Sequence, residues 1–158
     1  MSQIKAIALD VDGVLTDGTF WWGPDGQEWK RFSFRDVMGI SRARRGGLLF
    51  ALISGEDSPL VDRLAKKLDI EDVFKGRKDK AAALQEFATR RGLALGEIVF
   101  MGDDINDLEA MKLAGFAAAP ADAHDSARQQ ARLVTKCSAG QGAVRELIDF
   151  LAGKSFQI

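Results

Sequence analysis

Four short apolar runs punctuate the chain at residues 4–9 (IKAIAL), 48–53 (LLFALI), 97–102 (EIVFMG) and 115–120 (GFAAAP). None alternates cleanly between polar and apolar positions, so each reads as a strand buried on both faces. Longer amphipathic stretches separate them, at 35–46, 58–69, 78–92, 105–115 and 121–131. The first ends at Gly46-Gly47 and the third at Gly92, while the second opens with a Ser58 cap and Pro59 at its first helical position. A last helix is expected over 143–152, entered through a tight turn at Gly140 and Gly142. Strand-helix alternation of this kind predicts an α/β fold: a parallel, Rossmann-like sheet with helices on both faces, three layers in all. Residues 18–34 (GTFWWGPDGQEWKRFSF) interrupt the rhythm after the first strand and predict a β-hairpin with GPDG at its tip.

Composition narrows the setting. A chain of 158 residues suits one compact domain, 1–158. The 22 basic and 23 acidic residues give a net charge of −1, which argues against nucleic acid or an anionic membrane as partner. No apolar run approaches the ~20 residues of a membrane span, and no basic start followed by an apolar stretch marks a signal peptide. A single cysteine, Cys137, excludes an internal disulfide framework and fits a reducing compartment, so a cytoplasmic location is expected.

In open parallel sheets, ligands bind at the carboxyl ends of the strands. Three strands deliver polar groups there: Asp10 and Asp12 after the first, Ser54 after the second, Asp103 and Asp104 after the third, with Asp107 close behind. Carboxylates gathered in one crevice cost several kcal/mol as bare charges. A divalent cation removes that cost. The donors are all hard oxygens with no His or Cys beside them, which selects Mg²⁺ over zinc. Mg²⁺ so held engages a phosphate, and the other groups suit that substrate. Ser54 and the N–H groups around Gly55 can donate to phosphate oxygens, and Lys80 can offset the charge of the transition state. A carboxylate can be the nucleophile, forming an aspartyl-phosphate. A second one, two residues on, can act as general acid and then base.

Asp10-Val11-Asp12-Gly13-Val14, Ser54-Gly55, Lys80 and Gly102-Asp103-Asp104-Ile105-Asn106-Asp107 resemble the four ordered motifs of the haloacid dehalogenase superfamily phosphatases. The extension to Thr16-Asp17-Gly18, with FRDVMGI (34–40) and AGQGAVRE (139–146), is similar to one branch. That branch contains the 3-deoxy-manno-octulosonate 8-phosphate phosphatases and their nonulosonate 9-phosphate relatives. The resemblance implies Asp10 as nucleophile and Asp12 as acid-base, with Ser54 and Lys80 completing the catalytic set. It implies Mg²⁺ held by the Asp10 side chain, the Asp12 carbonyl and Asp103. Asp104 and Asp107 are left open between support of this site and capping of the helix that follows. The intervals between motifs are consumed by predicted strands and helices, so no cap domain is expected.

All three tryptophans, Trp21, Trp22 and Trp29, lie in the 18–34 hairpin with Phe20, Phe32 and Phe34. A two-stranded hairpin cannot hide that much aromatic surface, so a second copy of the chain is expected to cover it. The capless branch forms tetramers in which neighbours close each other's sites, and a homotetramer is the expectation here.

The expected substrate is a small sugar acid phosphate, of octulosonate 8-phosphate or nonulosonate 9-phosphate type. Octulosonate phosphatases usually carry Arg after the glycine of the second motif. This chain has Glu56, with Lys67 on the next helix, a pair similar to that of the nonulosonate phosphatases. Arg63 keeps part of the basic cluster of that helix, whereas Asp62 and Leu64 stand where relatives often have arginine. Gly55, Glu56, Arg63 and Lys67 are therefore the candidate substrate contacts, Glu56 and Lys67 being equally readable as a surface ion pair. His124 is expected on a solvent-facing helix and Cys137 half-buried, neither with a chemical role. Two rival readings are a receiver-like phosphoacceptor domain and a non-catalytic scaffold of the same fold. The first places its phosphorylated aspartate after a later strand, and the second predicts a lost nucleophile or metal ligand, which is not seen.

Overall fold

The computed structural model describes residues 3–155, with Lys154 and Ser155 described in the backbone only. Six parallel strands form one sheet in the order β5-β4-β1-β6-β7-β8: β1 (Ala6–Leu9), β4 (Leu49–Ile53), β5 (Asp72–Phe74), β6 (Ile98–Met101), β7 (Phe116–Ala119) and β8 (Leu133–Val134). The connecting helices are α1 (Phe34–Arg45), α2 (Pro59–Leu68), α3 (Lys80–Arg91), α4 (Leu108–Leu113), α5 (Asp125–Gln130) and α6 (Ala143–Ser155). The hairpin is present as β2 (Trp21–Trp22) paired antiparallel with β3 (Glu28–Trp29). Among the described residues, the segments between the predicted motifs hold only these strands and helices and a 3₁₀ turn at Leu95–Glu97, and no cap is inserted.

Alternation along β1 divides the core. Ile7 and Leu9 face α1, α2 and α6, packing with Ile40, Leu68 and Leu147. Ala6 and Ala8 face the other way, toward Leu84 and Phe87 of α3 and Met111 of α4. The small side chains on that face admit the bulk of Phe87 and Phe100, and close packing on both sides makes β1 wholly buried. The ends of the helices follow their sequence signals. Ser58 accepts from the Leu60 N–H at the start of α2, Asp79 accepts from the Ala82 N–H at the start of α3, and Gly92 closes α3 in the left-handed conformation.

Two edge strands were not predicted. β5 and β8 are only three and two residues long and carry no apolar run; they become strands by pairing to β4 and β7. The predicted helix at 121–131 begins only at Asp125, where the His124 side chain accepts from the Ser126 N–H. The expected helix at 105–115 opens with a 3₁₀ turn (Ile105–Asp107) before α4.

The FRDVMGI and AGQGAVRE stretches meet through one buried side chain. Asp36 of α1 accepts from the Gly142 N–H (3.3 Å) and the Arg145 N–H (2.8 Å), so a carboxylate caps the N-terminal end of α6. Burial pushes its pKa up, and the N–H groups of α6 pull against that rise. The loop before α6 is held to the loop after β1, where the Gly140 N–H donates to the Val14 carbonyl at 3.1 Å. Gly140 has φ +64°, and a Cβ there would lie 2.7 Å from the Asp17 nitrogen, so both conformation and space call for glycine.

Candidate active site

The carboxyl ends of β1, β4 and β6 converge on a cavity of about 180 Å³ lined by Asp10, Asp12, Ser54, Glu56, Lys80 and Asp103, together with Gly55, Asp104 and Asn106. Asp10 leaves β1 with its N–H still bonded to the Met101 carbonyl (3.0 Å), which carries the sheet pairing one residue past the strand. Its side chain is buried. Lys80, the first residue of α3, is buried beside it, with Nζ 2.9 Å from Asp10 Oδ1 and 2.6 Å from Asp107 Oδ1. The other oxygen of Asp107 accepts from the N–H groups of Asp103 (2.8 Å) and Asp104 (3.2 Å). Asp107 thus orients both the lysine and the loop that presents Asp103. Gly13 permits the approach from the other side: it has φ +89°, and a Cβ there would collide with the Asp103 carboxylate.

Asp10, Asp103 and Asp107 each offer a carboxylate oxygen, all within 4.8 Å of one another. Three ionised carboxylates against one ammonium would leave two negative charges in a buried site. Burial first, and then repulsion by Asp107, pushes Asp10 up to about 6 despite Lys80. Burial, and then the hydrogen bond to and charge of Asp10, pushes Asp103 up to about 9. Lys80 moves the other way from what burial alone would do: the carboxylates of Asp10 and Asp107 outweigh desolvation and raise it. A divalent cation supplies the missing charge. The donor set is all hard oxygen, with Asp107 already engaged by Lys80 and two N–H groups, so the residues fit Mg²⁺ at Asp10 and Asp103.

Asp12 stands apart from this cluster. Its carboxylate accepts from Lys30 Nζ at 2.8 and 2.9 Å and from Thr16 Oγ1 at 3.3 Å. Sequence reading missed both partners. Lys30 lies 18 positions away in the hairpin, and no local spacing relates it to Asp12.

The remaining predicted residues divide. Ser54 is buried, with its Oγ accepting from the Glu56 N–H (3.1 Å), which leaves its hydroxyl hydrogen to donate elsewhere. Gly55 and Glu56 line the acidic cavity. Asp104 also lines it while capping the following turn through the Ile105 N–H (2.7 Å). Arg63 and Lys67 do not join them: they line a separate cavity of about 430 Å³ with Phe32, Phe34, Val37 and Leu60. Glu56 and Lys67 line different cavities. His124 is exposed but caps α5 instead of lying within it, and Cys137 is half-buried as expected.

Comparison with known proteins agrees with this geometry. The profile of the haloacid dehalogenase-like hydrolases matches residues 69–148. The 3-deoxy-D-manno-octulosonate 8-phosphate phosphatase of Escherichia coli is 36% identical over 149 residues, covering 94% of this chain and 79% of that one. The crystal structure of the phosphatase of that name from Moraxella catarrhalis, in complex with magnesium, phosphate and KDO, superposes with a TM-score of 0.92. It is 35% identical and covers 95% of this chain and 86% of that one. The cobalt-bound form of the Haemophilus influenzae deoxy-D-mannose-octulosonate 8-phosphate phosphatase also gives a TM-score of 0.92, at 33% identity over 96% of this chain and 88% of that one.

Proposed function

The chain belongs to the haloacid dehalogenase-like hydrolase family, and from that premise we propose that it hydrolyses the phosphomonoester of a 2-keto-3-deoxy sugar acid with Mg²⁺ as cofactor. The observation that carries this reading is the division of labour among the acids. Asp10 and Asp103 sit in a buried cluster short of positive charge, while Asp12 is held outside it by Lys30. In this reading the Asp10 carboxylate attacks phosphorus, the ester P–O bond breaks, and Asp12 gives its proton to the departing alkoxide. Water then attacks the aspartyl-phosphate, Asp12 takes the proton, and Asp10 and phosphate are released. Bound Mg²⁺ would draw charge from the phosphoryl oxygens. Ser54 and the N–H groups near Gly55 orient those oxygens, and Lys80 balances the charge of Asp10 and Asp107 as the phosphoryl group transfers.

The octulosonate 8-phosphate is the substrate favoured by the relatives. One observation favours the nine-carbon reading: Glu56, in place of the expected arginine, lines the acidic cavity and can accept from sugar hydroxyls.

The whole chain acts as one capless domain in this reading, assembled as a homotetramer in the cytoplasm. Phe20, Trp21, Trp22 and Trp29 are all more than half exposed in the single chain, more aromatic surface than a monomer ordinarily leaves in water. Arg63 and Lys67 point to the same conclusion. Lining a separate cavity of their own chain, they would be free to meet a sugar acid carboxylate across a subunit boundary.

Phosphate release from the octulosonate 8-phosphate, a nonulosonate 9-phosphate and a neutral sugar phosphate, each with Mg²⁺ or with chelator, tests the proposal. It expects metal-dependent turnover with kcat/KM highest for one of the two acids. Equal rates on the neutral sugar phosphate refute the substrate class, and no turnover of any ester favours the scaffold reading.

A further inference from the structure

The hairpin does more in this structure than present aromatic surface. Lys30 follows Trp29 at the end of β3 and folds back so that its side chain is only 5% exposed, against 28% for Asp12. Its ammonium reaches both oxygens of one carboxylate, at 2.8 and 2.9 Å, with Glu28 at 3.5 Å as its only other recorded partner among the described residues. Burying a lysine costs desolvation, which a solvent-exposed pair would largely avoid. Thr16, also buried, adds a third point of attachment to Asp12 from its hydroxyl while accepting from the N–H groups of Gly13 and Gly18. The Asp12 carboxylate is therefore gripped from two directions by groups that are themselves held.

We propose that Lys30 is a positioning residue for the second half of the reaction: it holds the Asp12 carboxylate in the orientation from which it takes the proton of the water that attacks the aspartyl-phosphate. The inference rests on the acid-base role given to Asp12 above. A carboxylate two residues from Asp10, on the same loop as a site that demands cations, would be drawn toward that site if nothing held it. A bidentate ammonium from a different element prevents the swing. Because the grip comes from the hairpin, correct placement of the hairpin becomes a condition for complete turnover. The sequence lying between Asp12 and Lys30, which contains Trp21, Trp22 and Trp29, is the lever arm.

The test uses 4-nitrophenyl phosphate with the full-length protein and Mg²⁺. Its leaving group departs without a proton, so formation of the aspartyl-phosphate needs no help from Asp12 and its hydrolysis does. In Lys30→Met, a burst approaching one equivalent of 4-nitrophenol is expected, followed by a steady rate lowered about ten- to hundredfold, within the range general base catalysis supplies. Acid quenching should trap the phosphorylated protein. Asp12→Asn should show the same pattern, and Lys30→Met with Asp12→Asn should be no slower than Asp12→Asn alone, because the lysine acts only through the aspartate. Lys30→Gln provides a second variant of similar length should the methionine protein fail to fold. Burst and steady phases falling together, neither phase changing, or additive losses in the double variant would each overturn the proposal. A wild-type protein without metal-dependent turnover would overturn the functional reading instead.

Discussion

Exchanging Asp10 for asparagine removes the group assigned as nucleophile, and the same exchange should make the metal-free protein harder to unfold. Asp10 is pushed from 3.8 to about 6 by burial and by Asp107, with Lys80 opposing. At about 1.4 kcal/mol per tenfold change in proton affinity, holding Asp10 ionised in the fold costs about 3 kcal/mol above that pH. The sign follows from linkage. A carboxyl whose folded pKa is raised holds its proton longer in the native state than in the unfolded chain. Stability therefore falls as pH rises from about 4 toward the folded value, and the loss is complete above it. Asparagine is neutral throughout and nearly the same shape. Its carbonyl oxygen can still accept from Lys80 and its amide can donate to Asp103. At pH 8 without Mg²⁺, Asp10→Asn should melt roughly 6 to 12 °C above wild type, taking about 2 to 4 °C per kcal/mol for a chain of this size. The gain should shrink toward pH 5, where wild-type Asp10 already carries its proton. Wild type should recover the difference on adding Mg²⁺, since saturation at a hundred times Kd contributes about 2.7 kcal/mol, whereas the variant should respond far less. Calorimetry at pH 5 and pH 8, with Mg²⁺ and with chelator, measures all four quantities. A variant that melts below wild type in chelator at pH 8, or that gains as much from Mg²⁺, would refute the picture of a cluster short of positive charge.

Two further changes probe the same structure. Lys80→Met strips the only ammonium bonded to Asp10 and Asp107 among the described residues. It should cost about 3 to 5 kcal/mol at pH 8 and less at pH 5, read by denaturant unfolding; an unchanged midpoint at pH 8 would show that the ion pairs are not formed. Trp22→Ala with Trp29→Ala removes two exposed rings from the hairpin. Sedimentation should show a smaller assembly, and an unchanged profile would count against the hairpin as an interface.

Much of this molecule is legible along the chain. The buried strands, the helix cap at Ser58, the hairpin and the arrival of Asp10, Ser54 and Asp103 at one edge all follow from signals a few residues long. Period, cap and turn chemistry act over one or two turns of backbone, so the order of residues carries them directly. The tertiary structure alone decided the rest. The edge strands β5 and β8 exist because β4 and β7 offer them unpaired backbone. Asp107, left open between cap and support, proved to be the buried partner of Lys80, 27 residues away. Lys30 found Asp12 across 18 residues, and Asp36 found the start of α6 across 106. Arg63 and Lys67 line a second cavity beside Phe32 and Phe34, a juxtaposition that no pattern within their helix records. A charge finds its partner through the path of the whole chain, and desolvation then makes that pairing obligatory.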